Sequence, residues 1–137
     1  MSQKISVVLL ACRQAVPDPA LLLKPLEQGG LRVRVIPEPC SSKVEVFQML
    51  RTLAGEADLL WLVGCPEAVC QLVEGSFRMA KRVAHAQDYL REIGLEPERL
   101  GMTQLAAGDQ EVLAAMVGEI LEQAQSLGVN PGRAGAR

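Results

Sequence analysis

The stretch Ala57–Cys70, ADLLWLVGCPEAVC, governs how the rest of the chain is read. Its first part, Ala57 to Val63, reads as a buried strand. The run breaks at Gly64 and then presents two thiols, Cys65 and Cys70, where the next helix is expected to begin. The other two cysteines, Cys12 and Cys40, also come just after apolar, β-rich runs. If those runs are neighbouring parallel strands, all four sulfurs reach one edge of one sheet.

On the amino-terminal side, Ile5–Ala11 is a continuous apolar run and reads as the first strand. Pro17, Pro19 and Pro25 restrict any helix after it to Ala20–Gln28, with Pro19 tolerated at the first turn, and Gly29-Gly30 ends it. Leu31–Ile36, LRVRVI, alternates arginine with apolar residues, which marks a strand with one wet face, suited to a sheet edge. Pro37 and Pro39 lead to Cys40. Ser42 and Glu45 then form a capping-box pattern for a helix over Lys43–Ala54, with Val46, Phe47, Leu50 and Leu53 as its buried stripe.

Beyond Cys70 the longest helix is expected at about Leu72–Ile93, stopped by Gly94. A turn over Leu95–Arg99 and a weaker fourth strand, Leu100–Ala106, follow. Asp109 is placed to cap a last helix, Gln110–Leu127. The expected organisation is one domain, residues 1–127, and a disordered Gly/Ala/Arg-rich tail, residues 128–137. The order βαβαβαβα with short links implies an α/β fold: an open sheet of about four parallel strands with helices on both faces, flavodoxin- or Rossmann-like. In such sheets the strand carboxyl ends share one edge, and ligands bind there.

Bulk properties exclude several functions. The 137 residues suffice for one real core, and the net charge of -2 gives no footprint for nucleic acid or an anionic membrane. Aromatic residues make up only 3%, too few for a base-stacking surface. No apolar run approaches the ~20 residues that span a bilayer. Met1–Cys12 ends in LLAC and has the look of a lipoprotein leader, but its apolar run suits a first strand equally well and cleavage would remove that strand, so a cytoplasmic location is expected. In that compartment cysteines more often bind metal or react than pair as disulfides.

Four thiols on one sheet edge suit an iron–sulfur cluster, which is usually held by four cysteine thiolates. Zinc is the chemical alternative, although structural zinc sites favour paired C-x(2–4)-C knuckles. Redox thiols are a further alternative, without a C-x-x-C to support them. The plainest alternative is four inert buried cysteines. No Ser-His-Asp set, paired-carboxylate site or P-loop is present, and the single histidine, His85, argues against histidine-based catalysis.

A family resemblance attaches to these positions. Gly64-Cys65, Cys70, Glu74-Gly75-Ser76-Phe77-Arg78 and Arg82 resemble the GC-x4-C, EGN-aromatic-basic and downstream arginine signature of the small iron–sulfur (delta) subunit of methyl-viologen-reducing hydrogenase. Cys40-Ser41-Ser42-Lys43-Val44 is similar to that family's CSG-basic-V element, and Gly94–Leu100 to its G-I-E-P-E-R turn. Cys12 matches the first cysteine of its C-x-x-C element. Three positions depart from the pattern: Ala15 replaces the second cysteine of that element, Gln71 replaces a frequent histidine, and Pro-Glu-Ala-Val lies between Cys65 and Cys70.

The resemblance implies a 2Fe–2S cluster with Cys12, Cys40, Cys65 and Cys70 as ligands. It also implies an electron-transfer role between a hydrogenase or other dehydrogenase and a heterodisulfide reductase A-like flavoprotein, with no catalysis by this protein on its own. A cofactor-free assembly or docking subunit of the same complex, or a zinc-stabilised binding module, would use the same fold. Glu74 and Gly75 are candidates to shape the loop around a cluster. Arg78 and Arg82, with Lys81 and His85 nearby, would suit its negative charge or an acidic partner, or else form a solvated helix face. Trp61 and Phe47 are expected in the core.

Overall fold

The computed structural model describes residues 4–38, 44–65 and 75–133, the side chains of 75–77 excepted. Four strands, β1 (Ser6–Cys12), β2 (Arg32–Glu38), β3 (Leu59–Gly64) and β4 (Leu100–Gln104), alternate with four helices. The helices are α1 (Ala20–Gln28), α2 (Val46–Gly55), α3 (Gly75–Glu92) and α4 (Gln110–Leu127). The strands form one parallel sheet in the order β2-β1-β3-β4. This is the open, doubly wound α/β arrangement expected from the alternation of elements, with its order reversing between β1 and β3.

Apart from Ser6 at the start of β1, the two central strands are apolar because both of their faces are covered. Val7, Leu9 and Ala11 of β1 and Leu59, Trp61 and Val63 of β3 pack with Leu22 and Leu26 of α1 and Met116, Ile120 and Ala124 of α4. The intervening residues, Val8, Leu10, Leu60 and Leu62, pack with Met49 and Leu53 of α2 and with Met79, Val83 and Leu90 of α3. Each of the large apolar side chains stabilises the fold by roughly 1.5–3 kcal/mol on burial. β2 is an edge strand, as its arginines suggested, and it runs through Pro37, which an edge strand tolerates.

Several expectations need correction. Helix α2 starts at Val46 with Glu45 as its N-cap in an extended conformation, so Glu45 cannot be the third helical residue of a capping box. Ser42 and Lys43 lie outside the described residues. The core-facing line of α2 runs through Met49 and Leu53, with Val46 and Leu50 packed against it as expected; Phe47, about 200° around the helix from Met49, is 72% exposed. Its ring carries Arg51, whose guanidinium carbon lies 5.9 Å from the centroid. β4 is shorter than expected, because the chain turns at Ala106–Asp109, where Asp109 N–H donates to Ala106 O. That turn delivers Asp109 to the start of α4, where its Oδ1 accepts from Val112 N–H at 3.1 Å.

Of the tail expected to be disordered, residues 134–137 lie outside the described residues, and 128–133 are hydrogen-bonded to the domain. The segment 128–133 returns along the amino-terminal edge of the sheet and buries Asn130 completely. Asn130 Nδ2 donates to Leu53 O and Ala57 O, and Asn130 N–H donates to Asp58 Oδ1. Composition misses this because a single asparagine with buried partners outweighs the flexible residues around it.

Candidate functional site

Cys12 is the last residue of β1, and Cys65 directly follows β3. The strands are neighbours, with Ala11 level with Val63. Cys12 therefore lies one residue past the last registered pair on its strand, and Cys65 two past on the other. Both are buried, and both belong to the apolar layer that includes Ala15, Val16, Val63 and Leu105. This corner is the switch point at the carboxyl edge, the place where open α/β sheets bind ligands.

Backbone hydrogen bonds hold each cysteine in place. Ala15 N–H and Val16 N–H both donate to Cys12 O, at 3.0 and 2.9 Å, closing a turn on the cysteine itself. Arg13 N–H donates to Glu38 O at 2.9 Å and continues the β1–β2 ladder. Leu105 N–H donates to Gly64 O at 2.7 Å and ties the end of β4 beside Cys65. The turn after Cys12 forms one wall of an apolar cleft of about 460 Å³, lined also by Pro25, Leu113 and Val117. Ala15, where the family pattern has a second cysteine, is buried in that wall.

Of the residues singled out from sequence, the fold thus brings Cys12 and Cys65 to one corner. Cys40, Cys70 and Glu74 lie outside the described residues. Gly75 opens α3. Arg82 is half-buried, and its Nη1 donates to Val44 O at 3.0 Å, fixing the chain just after the Cys40 segment against α3. Arg82 is therefore a backbone anchor, whereas Arg78 is exposed. His85 stacks on Tyr89 with ring centroids 5.0 Å apart. Trp61 is buried as expected, with its Nε1 donating to Thr103 Oγ1 at 2.9 Å.

Sequence reasoning missed a second constellation, at the opposite edge. Asp58, fully buried at the start of β3, accepts from Ser6 N–H, Asn130 N–H and Arg133 Nε, each at 2.8 Å. Arg99, equally buried, donates to Asp58 O, Leu127 O, Gly128 O and Val129 O, and pairs with Glu96 at 2.8 Å. It satisfies carbonyls left open at the end of α4. That hydrogen bond from Arg99 is the main reason the Glu96 carboxyl titrates below the usual glutamate range. The G-L-E-P-E-R turn is therefore a structural anchor. Its available signal was a charged residue directly abutting each apolar run: Asp58 before Leu59, and Arg99 before Leu100.

Thiols are the donors that iron–sulfur clusters and soft metals take. Among the described residues, no group of three or more His, Cys, Asp or Glu side chains is arranged to hold a metal ion. The donor chemistry at this corner therefore consists of Cys12 and Cys65, and a four-thiol set would draw its other members from outside the described residues. The two thiols are the donor type such a group takes, and the described residues around them form an apolar layer that would keep water from it.

An open parallel sheet with two buried thiols flanking its switch point defines a cysteine-bearing α/β domain of the doubly wound class. Within that class the chain belongs to the methyl-viologen-reducing hydrogenase delta subunit family, whose model matches residues 7–128. The vhu iron-sulfur subunit of the F420-non-reducing hydrogenase of Methanopyrus kandleri is 30% identical over 70% of this chain and 73% of its own length. The corresponding iron-sulfur subunit of the F420-non-reducing hydrogenase of Archaeoglobus profundus is 28% identical over 90% of each chain. The A component of the ferredoxin/F(420)H(2)-dependent CoB-CoM heterodisulfide reductase of Methanosarcina acetivorans is 30% identical over 70% of this chain, in a stretch that makes up 12% of that longer protein.

Proposed function

We propose that this chain is an electron-carrying subunit of a cytoplasmic redox complex and holds a 2Fe–2S cluster on Cys12, Cys40, Cys65 and Cys70. When bound, the cluster would accept and pass on one electron at a time. The chain's own residues keep the sulfurs in place, exclude water with the apolar layer around Val16, Val63 and Leu105, and present the edge to neighbouring proteins. The donor would be a hydrogenase or other dehydrogenase, and the acceptor a heterodisulfide reductase A-like flavoprotein. Relatives named as iron-sulfur hydrogenase subunits support this reading, as does the matching stretch inside a heterodisulfide reductase component.

The observation that carries the proposal is the pairing of Cys12 and Cys65 at the ends of adjacent strands in one buried layer. The test is iron analysis and low-temperature electron paramagnetic resonance of anaerobically purified protein, before and after dithionite. The expected result is a brown protein with about two irons per chain. Colourless, iron-free protein overturns it. One zinc per chain without colour identifies a zinc-stabilised module instead.

Ala15 favours a second reading, a cofactor-free docking subunit, because a buried alanine stands where the family pattern has a cysteine. Cys65→Ser separates the two: it abolishes electron flow through the complex if the cluster is held, and leaves it intact if the chain only docks.

A further inference from the structure

The two lateral edges of the sheet are finished differently. β2 carries Arg32, Arg34, Pro37 and Glu38, and Arg34 pairs with Glu56 at 2.7 Å. Charges and a proline on an edge discourage pairing with another strand. β4, Leu-Gly-Met-Thr-Gln, carries neither, and among the described residues no strand lies beyond it.

In a parallel ladder, successive residues turn their N–H and C=O groups to opposite sides. Leu105 N–H reaches Gly64 O, so Gly101 and Thr103 face β3 while Leu100 and Met102 face outward. Leu100 O already accepts from Gln87 Nε2 of α3 at 2.6 Å, a side chain standing in for a neighbouring strand's donor. No described side chain does the same for Met102. A groove of about 370 Å³ runs along this edge between α3 and α4. Trp61 and Gly101 form its floor, Ala80 and Ala84 its α3 wall, and Glu119 its α4 wall, with Glu98 at one end. Among the described residues, no lysine or arginine lines it.

The geometry points to β4 as a strand-addition site for an extended segment of a different protein, with basic side chains at alternate positions. The segment's backbone pairs with Met102, its basic side chains lie toward Glu119 on the α4 side, and its apolar ones rest on the alanines of α3. A second copy of this chain fits poorly, because β4 has no basic residue and pairing two copies there crowds Glu98 and Glu119 against their counterparts. The inference is independent of the cofactor reading.

Trp61 is the single tryptophan of the chain and forms the groove floor, so it reports occupancy directly. The full chain is titrated with a short peptide alternating valine and lysine, and with the same peptide carrying glutamate for lysine. The expected result is a saturable change in Trp61 emission and slowed exchange of the Met102 amide with the lysine peptide alone. Met102→Pro removes an N–H that the sheet does not use, so it should keep the fold by circular dichroism and abolish binding. Glu119→Lys, on the surface, should weaken binding about fivefold. Absence of a saturable change overturns the inference, as does equal binding by Met102→Pro or by the glutamate peptide. A dimer that Met102→Pro dissociates assigns the edge to a second copy and overturns it too.

Discussion

The amino and carboxyl edges of this sheet are built from opposite chemistry. At the amino edge, the buried polar residues Ser6, Asp58, Arg99 and Asn130 join into one network with Arg133 and Glu96. At the carboxyl edge, Cys12, Ala15, Val16, Cys65 and Leu105 make an apolar corner held by backbone hydrogen bonds. The amino edge locks strand starts, the end of α4 and the last described residues together. The carboxyl edge leaves two thiols beside a cleft. The buried ionisable residues of the amino edge thus hold structure together, whereas the carboxyl edge gathers thiols among apolar side chains.

The contrast is most vulnerable at Asp58. Asp58→Ala leaves the buried Arg133 guanidinium and two backbone N–H groups without their acceptor, and should cost about 3–5 kcal/mol in chemical denaturation. Arg99→Met keeps most of the volume but strips donors from four carbonyls, with an expected loss of about 2–3 kcal/mol. Because the two share one network, the double variant should lose less than the sum. Gly101→Ala tests packing of the outer strand β4 on its neighbour: a Cβ there runs into the Trp61 ring, and thermal melts should show about 1–3 kcal/mol lost with altered Trp61 emission.

At the carboxyl edge, Cys12→Ala should cost only about 1 kcal/mol, since it deletes one small buried group, yet lose the bound iron if the cluster reading holds. A variant of that kind that unfolds the chain would erase the distinction between the edges. The smallest effect belongs to Glu96. Its folded pKa is depressed, so its pairing with Arg99 stabilises the fold above the unfolded glutamate value and is lost as pH falls through the lowered folded value. Glu96 is 46% exposed, so solvent screening holds the contribution below about 1 kcal/mol. Glu96→Gln should lower neutral stability by less than about 1 kcal/mol, leave stability at low pH unchanged and so flatten that part of the acid-stability profile.

Much of the fold was legible because periodicity reports burial. Apolar runs marked β1 and β3 as buried strands, and alternating arginines marked β2 as an edge. Asp109 and the prolines around Ala20 located the starts of α4 and α1. The reading failed where rotation about a helix axis mattered, as at Phe47, since an apolar side chain on a short helix does not declare which face meets the sheet. It failed again at 128–133, where two distant charged residues, Asp58 and Arg99, order a segment that its own composition leaves loose.

Local sequence was enough to dictate the alternation of strands and helices, the parallel sheet that alternation requires, and the presence of four thiols after its apolar runs. Those properties depend on neighbours a few residues apart, through side-chain period and backbone preference. It took the assembled fold to set β1 and β3 side by side, so that Cys12 and Cys65 share a corner, and to close the opposite edge with Arg99. Strand order and buried ion pairing join residues far apart in the chain, and they are set by which surfaces can be covered together.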